Sequence, residues 1–310
     1  MKIKILFLAA LVLCTAAIVD NSPVTIYMIG DSTMANRTLK TPPTKERGWG
    51  MMLGAFFPSE KVVIANHAAS GRSTKSFIDE KRWSRVVSQI RPGDYVFIQF
   101  GHNDEKKDNP KLYTEPGGTF DDNLRKFVTE TRAKGGIPVL FNSIVRRKFH
   151  QDEAGQFTDS LTDTHGDYLL SPERVAKEMG VVFIDMNKLT HDRVKQLGPE
   201  KSKQLYMWAG KKDDTHLNIK GSRVFAGLAI DAVGQKIPEL SKYIRHYDYV
   251  IATDGSGDFF TWEEALKVVS DKQKCKVLVR SGQYAVKPVL KNKKIEIIEE
   301  NGVSYGESQE

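Results

Sequence analysis

Two cysteines in 310 residues are too few for a disulfide framework. Cys14 lies inside the N-terminal apolar run, which leaves Cys275 alone in the rest of the chain and excludes an intrachain bridge there. Stability must come from packing, and a chain of this length can bury a sizeable core. Past the first residues no apolar run is long enough to span a bilayer. Internal repeats and low-complexity segments are missing, which excludes a solenoid for the bulk of the chain. There is no dense Lys/Arg tract interleaved with aromatics, so the formal charge of +7 does not read as a nucleic-acid footprint. Also absent is the GxSxG elbow of α/β-hydrolases, because Met34 stands where its last glycine would be.

What is present begins with MKIKILFLAALVLCTAA: two lysines, an apolar stretch from Ile5 to Cys14, then small residues up to Ala17. This is the layout of a secretory signal peptide, so residues 1–17 are expected to be removed and the protein to be periplasmic or secreted, with no membrane attachment afterwards. A lipid anchor on Cys14 is the competing reading, disfavoured by Leu13 where a small residue is needed. Loss of Lys2 and Lys4 lowers the charge to +5, and residues 248–310 hold nine basic and eleven acidic side chains. The basic excess therefore belongs to the first part of the chain, where it suits an acidic polymer.

From Val24 onward, short apolar blocks alternate with longer amphipathic stretches, the pattern of a parallel sheet with helices on both faces. Strands are predicted at VTIYMI from Val24, KVVIAN from Lys61, YVFIQF from Tyr95, IPVLFNSIV from Ile137 and VVFIDM from Val181. Helices are predicted over 49–57, 73–90, 120–133, 172–179, 187–197 and 218–233. Past Pro238 the rhythm changes to a strand, a turn, a helix and short strands broken by turns. The sequence thus divides into an α/β domain over 24–240 and a smaller unit over 248–310.

Four segments carry chemistry, and three of them lie at the ends of predicted strands: GDST with Ser32, NHAASGRS with Gly71, GHND with Asn103, and DDTH with Asp213, Asp214 and His216. An ester hydrolase needs a nucleophile, a base, an orienting carboxylate and donors aimed at the developing oxyanion. Singly, each segment has a plainer role: Ser32 or Thr33 as a helix cap, Gly71 in a tight turn, Asn103 in an Asx turn. Their combination, in order and at strand ends, favours catalysis. With a carboxylate three residues before His216, one local turn can bring it to Nδ1 and leave Nε2 facing Ser32. Asp214 could also reach the imidazole. A dinuclear metal reading of GHND with Asp163 and His165 fails on order, since the D-x-H pair should come first and no GHxH element is found after it.

Together GDSTMA, NHAASGRSTKSFID, GDYVFIQFGHNDEKKD, FTDSLTDTHGDY and DDTHLN resemble the SGNH (GDSL) hydrolases, and within them the rhamnogalacturonan acetylesterases, over nearly all of 24–237. The resemblance implies a flavodoxin-like three-layer α/β/α fold that works without cofactor or metal. It implies Ser32 as nucleophile, His216 as base and Asp213 as its partner, with an oxyanion hole made by the N–H groups of Ser32 and Gly71 and the amide of Asn103. Arg72, Trp49 and Trp208 are candidate substrate contacts. Trp83 is another, and all three tryptophans have the plainer alternative of core packing. The expected activity is deacetylation of pectic polysaccharide, the rhamnogalacturonan backbone first, through an acetyl-Ser32 intermediate. The alternatives are a same-fold esterase acting on acetylxylan or lipid esters, and a catalytically silent carbohydrate-binding protein.

The stretch VIATDGSGDFFTWEEAL and, after it, KVLVRSGQYAVKPVLKNKKIEIIEENG resemble the opening of a pectin methylesterase, a parallel β-helix. The catalytic groups of that family lie well downstream of this stretch, so no second activity is implied. An incomplete β-helix-like segment is the expectation for 248–310, and so short a solenoid should be only marginally stable.

Overall fold

Successive residues of a strand face opposite sides, and in the first strand here both sides are buried. In the computed structural model, which describes residues 22–39, 44–269, 274–288, 290 and 294–306, Ile26 and Met28 enter one apolar cluster and Tyr27 and Ile29 another. The third strand repeats this with Tyr95 and Phe97 against Val96 and Ile98. Burial on both faces is why these strands read as nearly unbroken apolar runs. The N-terminal segment read as an export signal lies outside the described residues.

In chain order the strands are β1 (Val24–Gly30), β2 (Val62–Asn66), β3 (Tyr95–Gln99), β4 (Ile137–Phe141), an antiparallel hairpin of β5 (Phe149–Gln151) and β6 (Phe157–Leu161), and β7 (Val182–Ile184). Five of them form one parallel sheet in the order β2-β1-β3-β4-β7. Helices Thr119–Ala133 and Leu170–Met179 cover one face through Phe120, Leu124, Phe127 and Val175. The 3₁₀ helix Trp49–Phe56 and the long helix Ile219–Lys236 cover the other through Trp49, Leu53, Phe225 and Ile230. This is the three-layer α/β/α arrangement expected. Strand order reverses between β1 and β3, and ligands bind such sheets in the crevice beyond the strand carboxyl ends at that point.

Three departures from the expected elements have local causes. The helix predicted over 73–90 is two, Thr74–Asp79 and Arg82–Val87, broken at Lys81, which takes a left-handed φ of 57°. The strand predicted from Ile137 stops at Phe141: Asn142 donates to Asp185 Oδ1 (2.9 Å) and accepts from Asn187 N (2.7 Å), which pulls the chain off the sheet. The β5–β6 hairpin was not predicted, because its strands are short and β6 is largely polar.

The C-terminal residues form β8 (Tyr249–Ile251), β9 (Cys275–Val279), β10 (Gly282–Tyr284), β11 (Ile295–Glu299) and β12 (Val303–Tyr305). All pair in parallel, as a β11-β9-β8 sheet and a β10-β12 pair, over a small core of Trp262, Val277, Val279 and Tyr284. This unit does not stand alone. Val250 and Leu278 pack on Ala55 of the first unit, the buried Arg47 donates from Nε to the Gly255 carbonyl (3.0 Å), and Arg223 lies 3.8 Å from Asp258.

Candidate active site

The tip of β1 is shaped by a buried carboxylate. Asp31 Oδ1 accepts from Thr33 N (2.9 Å) and Thr33 Oγ1 (2.8 Å), an Asx-type turn that fixes the backbone on either side of Ser32. Thr33 Oγ1 also accepts from Gln99 Nε2 at the end of β3 (3.0 Å), and Gln99 Oε1 accepts from Trp49 Nε1 (2.7 Å). Trp49 is 0% exposed. The expectation that it touches substrate is therefore corrected: its indole N–H finds its buried partner in Gln99, and it braces the serine turn from inside the core. Trp83 is likewise buried, against Phe127, with its N–H on Glu130.

Ser32 Oγ lies 3.0 Å from His216 Nε2, and His216 Nδ1 lies 2.8 Å from Asp213 Oδ2. The other oxygen, Asp213 Oδ1, accepts the backbone N–H groups of Thr215 (2.8 Å) and His216 (2.9 Å). Partial burial pushes the Asp213 carboxyl up, but these bonds from His216 and Thr215 outweigh it and hold the group below its ordinary value. Asp214 is turned away, its Oδ1 accepting from Arg147 Nε at 2.8 Å. Of the two carboxylates that could reach the imidazole, Asp213 is the one that does.

Anchors on both sides of it in the chain hold this loop in place. Met207 N donates to the His216 carbonyl (2.8 Å), and Asn218 caps the helix Ile219–Lys236 by accepting from Gly221 N (3.0 Å), a cap worth about 1 kcal/mol. A Cβ on Gly221 would fall 1.9 Å from the Leu205 carbonyl oxygen, so only glycine lets the helix start seat against Leu205.

Around Ser32 is a cavity of about 430 Å³, lined by Ser70, Gly71, Asn103, Asp213 and His216 among others. Gly71 has φ of 76°, and its N–H, like that of Ser32, has no hydrogen-bond partner among the described residues. Asn103 Oδ1 accepts from Lys106 Nζ (2.7 Å) while Nδ2 donates one hydrogen to the Arg72 carbonyl (3.1 Å), leaving its second N–H free to donate. The structure thus gathers Ser32, His216, Asp213, Gly71 and Asn103 at one place.

Two other sequence candidates are not among the lining residues. The Arg72 side chain pairs with Glu80 (3.1 Å), and Trp208 stacks on the buried Arg147, whose guanidinium carbon is 4.3 Å from the ring centroid. In their place Arg37, Lys106 and Arg146 line the cavity. Arg37 donates from Nη2 to the Ser32 carbonyl (2.8 Å). Lys106 was not singled out from the sequence either, although its place three residues after Asn103 is a signal that could have found it. Arg37 and Arg146 carry no sequence signal, since each reaches the site from a loop of its own.

In the buried wall of the cavity, His102 Nδ1 lies 3.4 Å from Asp31 Oδ2 and its ring sits edge-on to His165. Burial pushes the His102 imidazole down to about 4, so it is neutral at neutral pH and is a poor second base. A hydroxyl, an imidazole held by a carboxylate, and unpaired N–H donors on one cavity form the toolkit of acyl transfer.

The GDSL-like lipase/acylhydrolase family profile matches residues 28–224. The chain belongs to this family. It is accordingly a carboxylic ester hydrolase. It is 35% identical over 243 residues to the rhamnogalacturonan acetylesterase RhgT of Bacillus subtilis, covering 75% of this chain and 97% of that one. It is also 29% identical over 224 residues to a rhamnogalacturonan acetylesterase of Emericella nidulans, covering 67% and 84%. Among solved structures, the YxiM protein of Bacillus subtilis superposes with a TM-score of 0.60 at 27% identity, over 69% of this chain and 57% of that one.

Two results are expected from this GDSL-family site. Asn103→Ala removes one donor that strengthens only as the carbonyl oxygen becomes charged, so kcat should fall on the order of 10²- to 10³-fold with little change in KM. Steady-state kinetics on a soluble acetyl ester check this. The neighbouring Asp104 is 0% exposed, and burial pushes its carboxyl up to about 7 although Thr74 and Thr114 donate to it. The folded state therefore binds this proton more tightly than the unfolded chain, so stability is full below about 4 and is lost as pH rises toward about 7. Each tenfold in proton affinity is worth about 1.4 kcal/mol, so the decline should reach a few kcal/mol, and Asp104→Asn should flatten it. Urea midpoints at pH 5 and pH 8 are the measurement.

Proposed function

We propose that this hydrolase removes acetyl groups from pectic polysaccharide, with the rhamnogalacturonan backbone as its target, through an acetyl intermediate on Ser32. The observation that carries the chemistry is the relay from Ser32 Oγ to His216 Nε2 at 3.0 Å and from His216 Nδ1 to Asp213 at 2.8 Å. His216 takes the serine proton as Oγ attacks the acetyl carbonyl, and the oxyanion is received by the N–H groups of Ser32 and Gly71 and the Asn103 amide. His216 then hands the proton to the departing sugar oxygen. A water, deprotonated by the same imidazole, attacks the acetyl-enzyme, and Ser32 Oγ leaves as it takes that proton back from His216, releasing acetate.

The substrate reading is supported by the similarity to two rhamnogalacturonan acetylesterases and by Lys106, which lines the cavity bonded to the neutral Asn103 amide and suits an acidic polymer. We place the enzyme outside the cytoplasm, periplasmic or secreted, on the strength of Lys2, Lys4 and the apolar run after them.

The test is acetate release from acetylated rhamnogalacturonan, acetylated xylan and a short-chain lipid ester, side by side. The pectic polymer should give the highest kcat/KM. A preference for xylan or lipid would replace the substrate reading and leave the chemistry, whereas no acetate from any of the three would leave a carbohydrate-binding protein.

A further inference from the structure

A second cleft, of about 380 Å³, opens where the C-terminal unit meets the α/β layer. Asn36, Arg37 and Asn66 line it from one side, and Asp254, Ser256 and Arg280 from the other. Arg37 belongs to both cavities: it lines this cleft and the one around Ser32, and its guanidinium donates to the Ser32 carbonyl and to Ser70 Oγ. The two spaces are thus neighbours across one side chain.

We propose that this cleft is a binding subsite for a neutral, hydroxyl-rich sugar residue of the same polysaccharide chain whose acetyl group sits at Ser32. The inference rests on the acetylesterase reading and extends it to a surface that no catalytic group occupies.

The lining chemistry selects the ligand. Arg37 is balanced by Glu46 at 2.7 Å and Arg280 by Glu300 at 3.2 Å, so neither cation awaits an anion. The exposed Asp254 carboxylate, whose Oδ1 accepts from Ser256 N (2.9 Å), adds negative charge that would repel a uronate. Asn66 is spent on Met34, Asn36 and Ala68, and Ser256 on Asp254 and Arg280, so what remains unpaired among the described residues is the Asn36 N–H₂, the Ser59 hydroxyl and the second oxygen of Asp254, donors and acceptors that pair with vicinal sugar hydroxyls. The volume of the cleft lies within the range of small-ligand sites.

The far wall is fixed rather than loosely apposed. The Arg280 guanidinium lies against Gly54 so closely that a Cβ there would fall 2.9 Å from Nη1, and Nη1 also donates to Ser256 Oγ (2.7 Å). Together with Arg47 on Gly255 and the Ala55 contact, this makes the cleft a standing feature, and a preformed site spares a ligand the cost of ordering it.

The test uses the full chain, Val63→Glu and Asp254→Ala. Val63 is 43% exposed on β2 and lines the cleft, so a glutamate there fills it without disturbing the core. Two readouts are taken. One is kcat/KM on acetylated rhamnogalacturonan oligosaccharides of increasing length, divided by kcat/KM on phenyl acetate, which is too small to reach the cleft. The other is calorimetric binding of the deacetylated oligosaccharides to Ser32→Ala protein, with and without Val63→Glu. Expected are a ratio that rises with length in the parent, a roughly tenfold loss of that rise in both variants, and a matching roughly tenfold weaker binding, equivalent to about 1.4 kcal/mol. A length dependence and an affinity that survive Val63→Glu would overturn the subsite. Failure of the parent to hydrolyse phenyl acetate would overturn the esterase reading instead, and the binding titration would still decide the cleft.

Discussion

Replacing Ser32 by alanine should lower acetyl ester turnover by about 10⁶-fold, the scale of removing the nucleophile from a serine hydrolase relay. Initial rates of acetate release are the measure, with circular dichroism confirming the fold. The reason is geometric. The hydroxyl stands 3.0 Å from the imidazole nitrogen that faces it, at the end of a strand whose turn is locked by Asp31 and Thr33. Without it the unpaired N–H groups of residue 32 and Gly71 and the Asn103 amide still polarise a carbonyl, so a residual rate about 10³- to 10⁴-fold above that of water should persist. The fold should lose no more than about 1.5 kcal/mol, the usual worth of one partly buried hydrogen bond. Turnover within tenfold of wild type would remove Ser32 from the chemistry.

Asp213→Asn should cost about 10⁴-fold in kcat with the loop intact, by reversing the imidazole tautomer. Asp213 Oδ1 accepts two backbone N–H groups, so the asparagine oxygen must take that place and its NH₂ must occupy the position of Oδ2. The NH₂ then faces His216 Nδ1, which must become an acceptor. The ring proton moves to Nε2, and the base that should take the Ser32 proton is already protonated. Circular dichroism and KM separate this from a packing defect: a tautomer fault lowers kcat and leaves both near wild type, whereas a misfolded loop would shift them. An unchanged rate would show that Asp213 does not orient His216.

The sheet was readable because its strands are buried on both sides, so each announces itself as an apolar block ended by glycine or polar residues. The gathering of Ser32, Gly71 and Asn103 has the same cause, since parallel strands put all their carboxyl ends at one edge. The choice between Asp213 and Asp214 was not readable from spacing alone. It is settled by Arg147, which claims Asp214 from 67 positions upstream. Trp49 failed as a groove candidate for a related reason: an indole can serve a core or a sugar equally well, and only its full burial beside the Gln99 amide shows which. Arg72 looked available beside Gly71, yet its nearest opposite charge, Glu80, is only eight residues on. The arginines that do line the cavity, Arg37 and Arg146, come from loops whose convergence no local pattern encodes.

The carboxylate and imidazole ride on one four-residue stretch, and Asp213 bonds both the ring and the backbone of His216. Their relative aim is consequently a property of that stretch and is largely independent of how the sheet is built. In engineering terms it is a cassette: drift in the β1 or β3 loops can retune only the last 3.0 Å leg to the hydroxyl. A lineage could therefore remodel the mouth of this site for new esters while its carboxylate–imidazole pair travels along unchanged.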